Sequence, residues 1–584
     1  MLINLLKKIK TIDYINNIPI EIIILVIVAA SPCFLFNIMP LGIDNAANSG
    51  RIFLLAECIK KLDFPIYVNH NTFNGYGSLD FIFYPYGSII LPSLIQILTN
   101  NLILTTNIYI SLIIIVQIYI VYISTKCIFN DNNTSTVSAI LFILSYINIW
   151  NIYYRGGYYE ALAISFIPLT IAGVYKTFYS SKFEDKSIYV VVGITGILQA
   201  HVVTSVFYIV MLMLILVFTL PMYIKKIKLL FKNITIILLL NIWYIYPFIK
   251  SYIVENINIS TNMQLLPIQS VLGIFNKIPM TIHSISLNPI QIYKAFENTF
   301  SLTELVLVLI YISLLFIRIK SVDTDLTYNY AFRFSIFMFF VFILHCINYT
   351  QCFVKFCNLF FLNKFFALEQ FNYRELERAM PFYVFSISPM IVDIFNTKVR
   401  RIILILILAL TSSYIFAQQF LDPSNNYFIR KDSKYLLYTV NSNKEIYDII
   451  HNNWMIADYI PSSYDGTELL KKIDTNCNID NVIIEEKKCE FDFLSDNNVK
   501  KSFILPYFKY YGYKAYLNGE KYNGISEHNG KIELTTNLQN GHFKIEYKKP
   551  IDFLVSFYIS FCFIICILIY RVISWRRKVN VQKY

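Results

Sequence analysis

The sequence predicts an α-helical polytopic membrane protein of about twelve transmembrane helices, followed by a C-terminal β-rich domain outside the membrane. Three observations predict it. Of the 584 residues 56% are hydrophobic and only 15% charged, too apolar for an ordinary soluble chain. The apolar residues gather into runs of spanning length separated by short basic clusters. One long segment, Gln418 to Pro550, holds no such run and carries short alternating stretches punctuated by Asn-Gly pairs.

Lys7, Lys8 and Lys10 precede the first apolar run, Ile18 to Met39, so the N-terminus is expected on the cytoplasmic side. That run is long enough to span and no small-x-small site follows it, which argues against a cleavable signal peptide. The polar loop Pro40 to Tyr86 is then external. The next apolar run, Phe81 to Leu98, is interrupted by Pro85 and Pro92. If it spans, the clusters Lys225/Lys226/Lys228/Lys232, Arg318/Lys320 and Lys398/Arg400/Arg401 fall outside. If it lies on or dips into the outer leaflet, all of them fall inside.

The second arrangement places spans near 18–39, 103–125, 137–152, 160–177, 187–200, 202–222, 233–250, 302–319, 331–348, 380–396, 400–417 and 552–573, with both termini cytoplasmic in a plasma-membrane protein. It requires a break near Gln199 and puts His201 at the outer surface. Tyr153 to Glu160, the loop Ser251 to Ser301 and the segment from Gln418 share that face. The domains expected are 1–417, helical with a first outer loop at 40–102; 418–550, extracytoplasmic; and 551–584, a final span with a basic tail.

In the second half of the external segment, Lys514 to Asn518, Lys531 to Thr535 and His542 to Tyr547 read as strands. Asn518-Gly519, Asn523-Gly524, Asn529-Gly530 and Asn540-Gly541 read as turns between strands. The first half, around Lys444 to Lys472, reads as helical or mixed. The net charge of +12 does not imply nucleic acid: Gln418 to Pro550 holds 17 Lys+Arg against 18 Asp+Glu, leaving 33 against 20 for the membrane part. Most of the ten cysteines lie in or beside apolar runs, but Cys477 and Cys489 share the external segment, where a disulfide could form.

The loop from Pro40 is the richest in ionisable groups, with Asp44, Arg51, Asp63, His70 and Asp80 beside a membrane where such groups are costly without partners. Each candidate also has a plain structural reading. Asp44 could N-cap the helix that follows it. Arg155 and Glu160 could form an ion pair near a span end, and His201 could be a satisfied interfacial histidine. Arg374, with Glu369, Glu375 and Glu377, could start a solvated helix. The stretch Tyr76 to Tyr86 could form an interfacial aromatic belt.

Gly42-Ile-Asp44, Arg51, Phe64-Pro65, Asn74-Gly-Tyr-Gly77 and Phe83-Tyr-Pro85 resemble the first outer loop of bacterial multispanning proteins with a GT-C glycosyltransferase architecture. These include the YfhO-like family and the membrane proteins labelled 6-pyruvoyl-tetrahydropterin synthase-related. The resemblance continues through Arg155-Gly-Gly-Tyr-Tyr-Glu160, the His201 turn, Glu369-Gln-Phe-Asn-Tyr-Arg374, Leu505-Pro506 to Gly512 and Asn518-Gly519. Relatives often carry a His four residues after the loop Asp, where this chain has Asn48. None of the seven histidines shows the zinc-ligand spacing that the pterin-synthase label would imply.

The resemblance implies sugar transfer from a polyprenyl-phosphate donor to an envelope glycan or lipid acceptor on the outer face, with Asp44 as the catalytic carboxylate. A hydroxyl is a poor nucleophile until a base takes its proton, and a departing phosphate needs cationic donors. Asp44 would be the base; Arg51, Arg155, Glu160, His201 and Arg374 would contact substrate, the arginines gripping phosphate in a fork. A divalent cation, Mg2+ or Mn2+, shared by Asp44 and Glu160 would suit hard oxygen ligands. The rival expectations are a catalytically silent, glycan-binding scaffold and a transporter of a lipid-linked glycan.

Overall fold

The computed structural model describes residues 19–35, 44–180, 185–258, 302–320, 326–347, 373–421, 458–467, 469–495 and 499–581. The helices in order are α1 (Ile20–Leu35), α2 (Asn45–Lys60), α3 (Tyr86–Thr99), α4 (Leu102–Phe129) and α5 (Asn132–Ile143). A short helix Tyr146–Ile149 and a π-helical turn Trp150–Arg155 lead into α6 (Tyr158–Val174). Then come α7 (Ser187–Leu198), α8 (Val202–Phe218), α9 (Ile227–Val254), α10 (Leu302–Lys320), α11 (Leu326–Ile347), α12 (Tyr373–Ile391), α13 (Lys398–Leu421) and, after the β domain, α14 (Ile551–Val581).

Among the described residues, each apolar run expected to span is helical over most of its length, but length limits how many can cross. Among the described residues four helical stretches are long and apolar enough to cross a membrane: Leu102–Phe129, Tyr158–Tyr179, Leu220–Val254 and Ile551–Tyr570. The pair Asn132–Ile143 and Tyr146–Tyr153, bent by 49°, makes a fifth if counted as one span. The expected twelve is therefore not reached on length and composition.

Burial separates inner from outer helices. The apolar window of the α6 stretch is 78% buried, packed by α4, α7 and α12, whereas that of α14 is 17% buried and leans on α9. An apolar helix so exposed would be an aggregation hazard in water and suits lipid. The break expected near Gln199 is present: α7 ends at Leu198 and α8 starts at Val202. His201 is not at the surface, however; it is 5% exposed and caps α8, its ring accepting from the Thr204 N–H.

The C-terminal domain is two antiparallel sheets, of strand order β1-β4-β8-β7 and β2-β3-β9-β5-β6. Its strands are β1 (Asp474–Thr475), β2 (Asn478–Ile484), β3 (Lys488–Leu494), β4 (Lys501–Phe508), β5 (Tyr513–Leu517), β6 (Glu520–Tyr522), β7 (Ile525–His528), β8 (Lys531–Thr536) and β9 (Asn540–Tyr547). Phe503 of the first sheet packs on Phe491, Phe493 and Phe543 of the second at 5.1–5.5 Å between ring centres, so the alternating pattern buries an aromatic core between sheets. Asn518-Gly519 and Asn529-Gly530 make the expected hairpin turns, both residues of each pair having positive φ.

Asn540-Gly541 does not turn: both residues pair with β3, and a side chain at Gly541 would strike the Phe493 ring at 2.9 Å. Cys477 and Cys489 are free thiols. Asn478, next to Cys477, pairs with Leu494, whereas Cys489 pairs with Ile484, so the two lie at opposite ends of the β2/β3 ladder, about 20 Å apart at 3.3 Å per residue. Of the part expected to be helical or mixed, residues 460–467 and 469–472 are irregular after a 3-10 turn at 458–459; the rest of that expectation, like most of the loop Ser251 to Ser301, lies outside the described residues.

The loop behind α1 is where helices and sheets meet. Asn69 and Ser78 form a backbone bridge, Tyr76 carbonyl accepts from Phe508 N–H, and Tyr76 OH donates to Leu470 carbonyl. Tyr76, Phe81, Phe83 and Tyr86 are buried, so this stretch is internal packing rather than an interfacial belt. Asp63 pairs with Lys487 and with Lys549; burial pushes its carboxyl up, and the two lysines outweigh that and hold it below the usual range. His70 shares a hydrogen bond with Tyr513 OH, and burial lowers its ring to about 3, so it stays neutral.

At the end of α9, Glu255 accepts the Tyr511 N–H at 2.7 Å. Burial raises its carboxyl to about 7, with Lys509 opposing and Glu527 adding to the shift. The folded value lies above the ordinary 4.5, so its contribution to stability is fully present below that value and is lost as pH rises through about 7. The melting temperature of the wild type should therefore fall more between about pH 5 and pH 8 than that of Glu255→Gln; parallel curves would remove Glu255 as the sensor.

Candidate functional site

The loop, the π-helical turn and two helices bring five ionisable side chains together. Gly156, with φ of 76°, lies against Asn45, where a Cβ would sit 2.8–2.9 Å from its Cβ, Cα and N. That approach lets Asp44 N–H donate to Arg155 carbonyl at 2.9 Å. The side chains follow: Arg155 Nε is 2.8 Å from Asp44 Oδ2, and Arg155 Nη1 is 2.5 Å from Glu160 Oε2 and 3.6 Å from Glu377 Oε1. Arg374 Nε reaches Glu160 Oε2 at 3.4 Å.

The network is buried except at one end. Arg155, Glu160, Arg374, Glu377 and Arg378 are at most 5% exposed, whereas the Asp44 side chain is 35% exposed. Asp44 precedes α2 but gives it no side-chain cap; the carboxylate turns to Arg155 instead. Glu160 stands in the first turn of α6, where the helix dipole favours a negative charge. Glu377 and Arg378, expected in a solvated helix start or not singled out, belong to the interior. Their spacing from Arg374, three and four residues along α12, puts all three on one helical face, the signal that could have found them.

His201 joins the same interior. Burial lowers its ring to about 3, aided by Arg374, Arg155 and Arg378 and opposed by Glu160, so the imidazole is neutral near pH 7. Its Nδ1 meets Thr204 Oγ1 at 2.9 Å and accepts the Thr204 N–H at 3.3 Å, the latter the bond of a capping residue.

Arg51 lies in an adjoining cage rather than in the network. Its guanidinium stacks 3.4 Å from the Tyr84 ring centre, donates to Asn48 Oδ1 at 3.1 Å and stands 3.9 Å from Asp80. Burial pushes the Asp80 carboxyl up, with Arg51, Ser78 and Asn69 opposing. Asn48, where relatives often carry His, also donates to Gly156 carbonyl at 2.7 Å, so its amide joins the cage to the turn that carries Arg155.

A divalent cation does not fit between Asp44 and Glu160. The Arg155 guanidinium contacts both carboxylates there and already supplies the positive charge. Among the described residues no group of three or more His, Cys, Asp or Glu side chains is arranged to hold a metal ion.

Fold and site together define a helical chain with helices able to cross a membrane, a β-sandwich docked on its first loop, and a buried ionic network that reaches the surface at one carboxylate. No protein-family model matches the chain, and no curated protein matches it.

Replacing one member of a buried ion network leaves the others uncompensated. Arg155→Ala should destabilise the helical part by about 3–5 kcal/mol, read as a lowered melting temperature in detergent. Arg155→Ala/Glu160→Ala should recover part of that loss. An Arg155→Ala protein as stable as wild type would show that the network carries no structural weight.

Proposed function

We propose that the chain is a lipid-dependent glycosyltransferase of the cell envelope with a GT-C-like architecture. It would move a sugar from a polyprenyl-phosphate donor to an acceptor hydroxyl on the outer face of the plasma membrane. One observation carries the reading: of the ionic network, Asp44 alone is substantially exposed, with the rest of the charge held rigidly behind it. A positioned carboxylate at the rim of a buried electrostatic framework is what deprotonating a bound hydroxyl needs.

In this reading Asp44 takes the acceptor proton while the acceptor oxygen bonds to the anomeric carbon. The bond from that carbon to the phosphate oxygen breaks, and the phosphate leaves with the electron pair. Arg155 orients the carboxylate. Arg155 and Arg374 lie too deep, and against carboxylates, to fork a phosphate, and Arg378 is buried over the Phe207 ring; they act by maintaining positive potential behind the site. The shorter apolar helices, such as Ile20–Cys33 and Val202–Phe218, would complete about twelve spans with both termini cytoplasmic.

A catalytically silent scaffold is the second reading. It is favoured by the way Asn48 and Arg155 spend their side chains on internal partners.

Asp44→Asn separates the two. The amide oxygen can still accept from Arg155, so the fold should survive, but proton acceptance is lost. Transfer from a polyprenyl-phosphate sugar should fall by about 100-fold or more in reconstituted membranes. Unimpaired transfer by this variant would sink the catalytic assignment; a folded wild type inactive with every donor tried would favour the scaffold.

Orientation is tested by cysteine substitution at exposed positions in intact cells. Asn74→Cys and Asn523→Cys should react with an impermeant thiol reagent, and Lys228→Cys, in the basic first turn of α9, should not. Reaction at position 228 would invert the proposed topology.

A further inference from the structure

Where the β domain meets α9 and α14 there is a groove of about 990 Å³. Its lining carries five lysines, Lys250, Lys514, Lys521, Lys548 and Lys549, and one carboxylate, Asp552. Three of the lysines have acidic partners: Lys250 pairs with Asp552, Lys548 with Glu546, and Lys549 with Asp63 at 2.9 Å. Among the described residues Lys514 and Lys521 form no ion pair, and both are exposed. Lys521 pairs with Tyr516 across β5 and β6, so Lys514, two residues before Tyr516, shares its face as a diagonal neighbour, about 7–8 Å away at the backbone.

The opposite end of the groove is apolar. Ile551, Val555 and Ile559 recur every fourth residue along α14 and form one stripe, 73, 51 and 41% exposed respectively. Ile242 and Tyr246 line the facing wall on α9. The α14 stripe runs about 12 Å along the helix axis, at 1.5 Å per residue. It continues into the surface of the least buried of the helices able to cross a membrane. The groove thus joins a hydrocarbon-compatible wall to a cationic one.

We propose that this groove seats an anionic phospholipid of the bilayer, its phosphate on Lys514 and Lys521 and one acyl chain along Ile551, Val555 and Ile559. Lysine binds phosphate as a mobile point charge, and the two uncommitted ammonium groups supply the positive charge that the headgroup needs. Tyr511 and Tyr246, both in contact with the Lys250 and Asp552 pair, wall the groove where head and tail meet, a depth suited to tyrosine. The bound lipid would tie the β domain to the bilayer edge of α14 independently of the contacts made by the first loop. The proposal does not rest on the glycosyltransferase reading, since it concerns a different face and its assay reads lipid, not sugar transfer.

The test uses the full chain in nanodiscs of phosphatidylcholine with or without phosphatidylglycerol, followed by release and native mass spectrometry of retained lipid. Wild type should retain phosphatidylglycerol in preference to phosphatidylcholine. Lys514→Gln and Lys521→Gln should each lower that retention about fivefold, and the double variant about 25-fold. Lys531→Gln, on β8 of the other sheet, is the control and should retain the lipid as wild type does. Equal retention of the two lipids by wild type, or undiminished retention by a double variant that melts like wild type, would overturn the proposal. Stabilisation by inorganic phosphate without any lipid preference would also overturn it, assigning the groove to a free anion.

Discussion

The Arg155 guanidinium holds carboxylates from three parts of the chain: Asp44 ahead of α2, Glu160 on α6 and Glu377 on α12. Two of these are buried among helices, where an unpaired charge would cost several kcal/mol, so none of the elements can shift without exposing that cost. The same residue offers its backbone carbonyl to Asp44, and Gly156 beside it admits the approach of α2. Side chain, backbone and a missing Cβ thus enforce one geometry. Arg374 extends the network across α12, making the central helices an ionic as well as an apolar core.

Between this core and the β-sandwich lies the first loop, and its composition suits a layer with two sides. Arg51, Tyr84, Asp80 and Asn48 face the helices, while Asp63, His70, Asn74 and Tyr76 bond to the β domain. A segment so polar can be buried because nearly every group finds a partner on one side or the other. Any movement of the β domain would act on Asp44 through this layer, since Asn48 and Tyr159 join it to the α2 and α6 ends.

Much of this was legible in the sequence. The apolar runs became helices close to their expected limits, the break before His201 followed from charge bias, and the Asn518-Gly519 and Asn529-Gly530 turns fell between strands. Misreadings arose where local pattern and long-range pairing diverge. Asn540-Gly541 carries a turn signature, yet β3 supplies a partner for both residues and the Phe493 ring needs the space of a missing side chain. Cys477 and Cys489 are close in sequence, but a hairpin separates its two open ends from its turn. Glu377 looked solvated because acidic and basic neighbours alternate along the chain, whereas on a helix only every third or fourth residue faces inward.

The sequence by itself determined where helices and strands form, because hydrophobic periodicity and turn chemistry act over a few residues. It also marked Asp44, Arg155, Glu160 and Arg374 as charges needing partners in an apolar chain. Only the tertiary structure decided which partners they took. Asp44 bonds a residue 111 positions away instead of capping its own helix, His201 turns inward, and Arg51 joins a separate aromatic cage. The physical reason is that the energy of a charge inside a protein depends on what surrounds it in space, and chain spacing does not encode those surroundings.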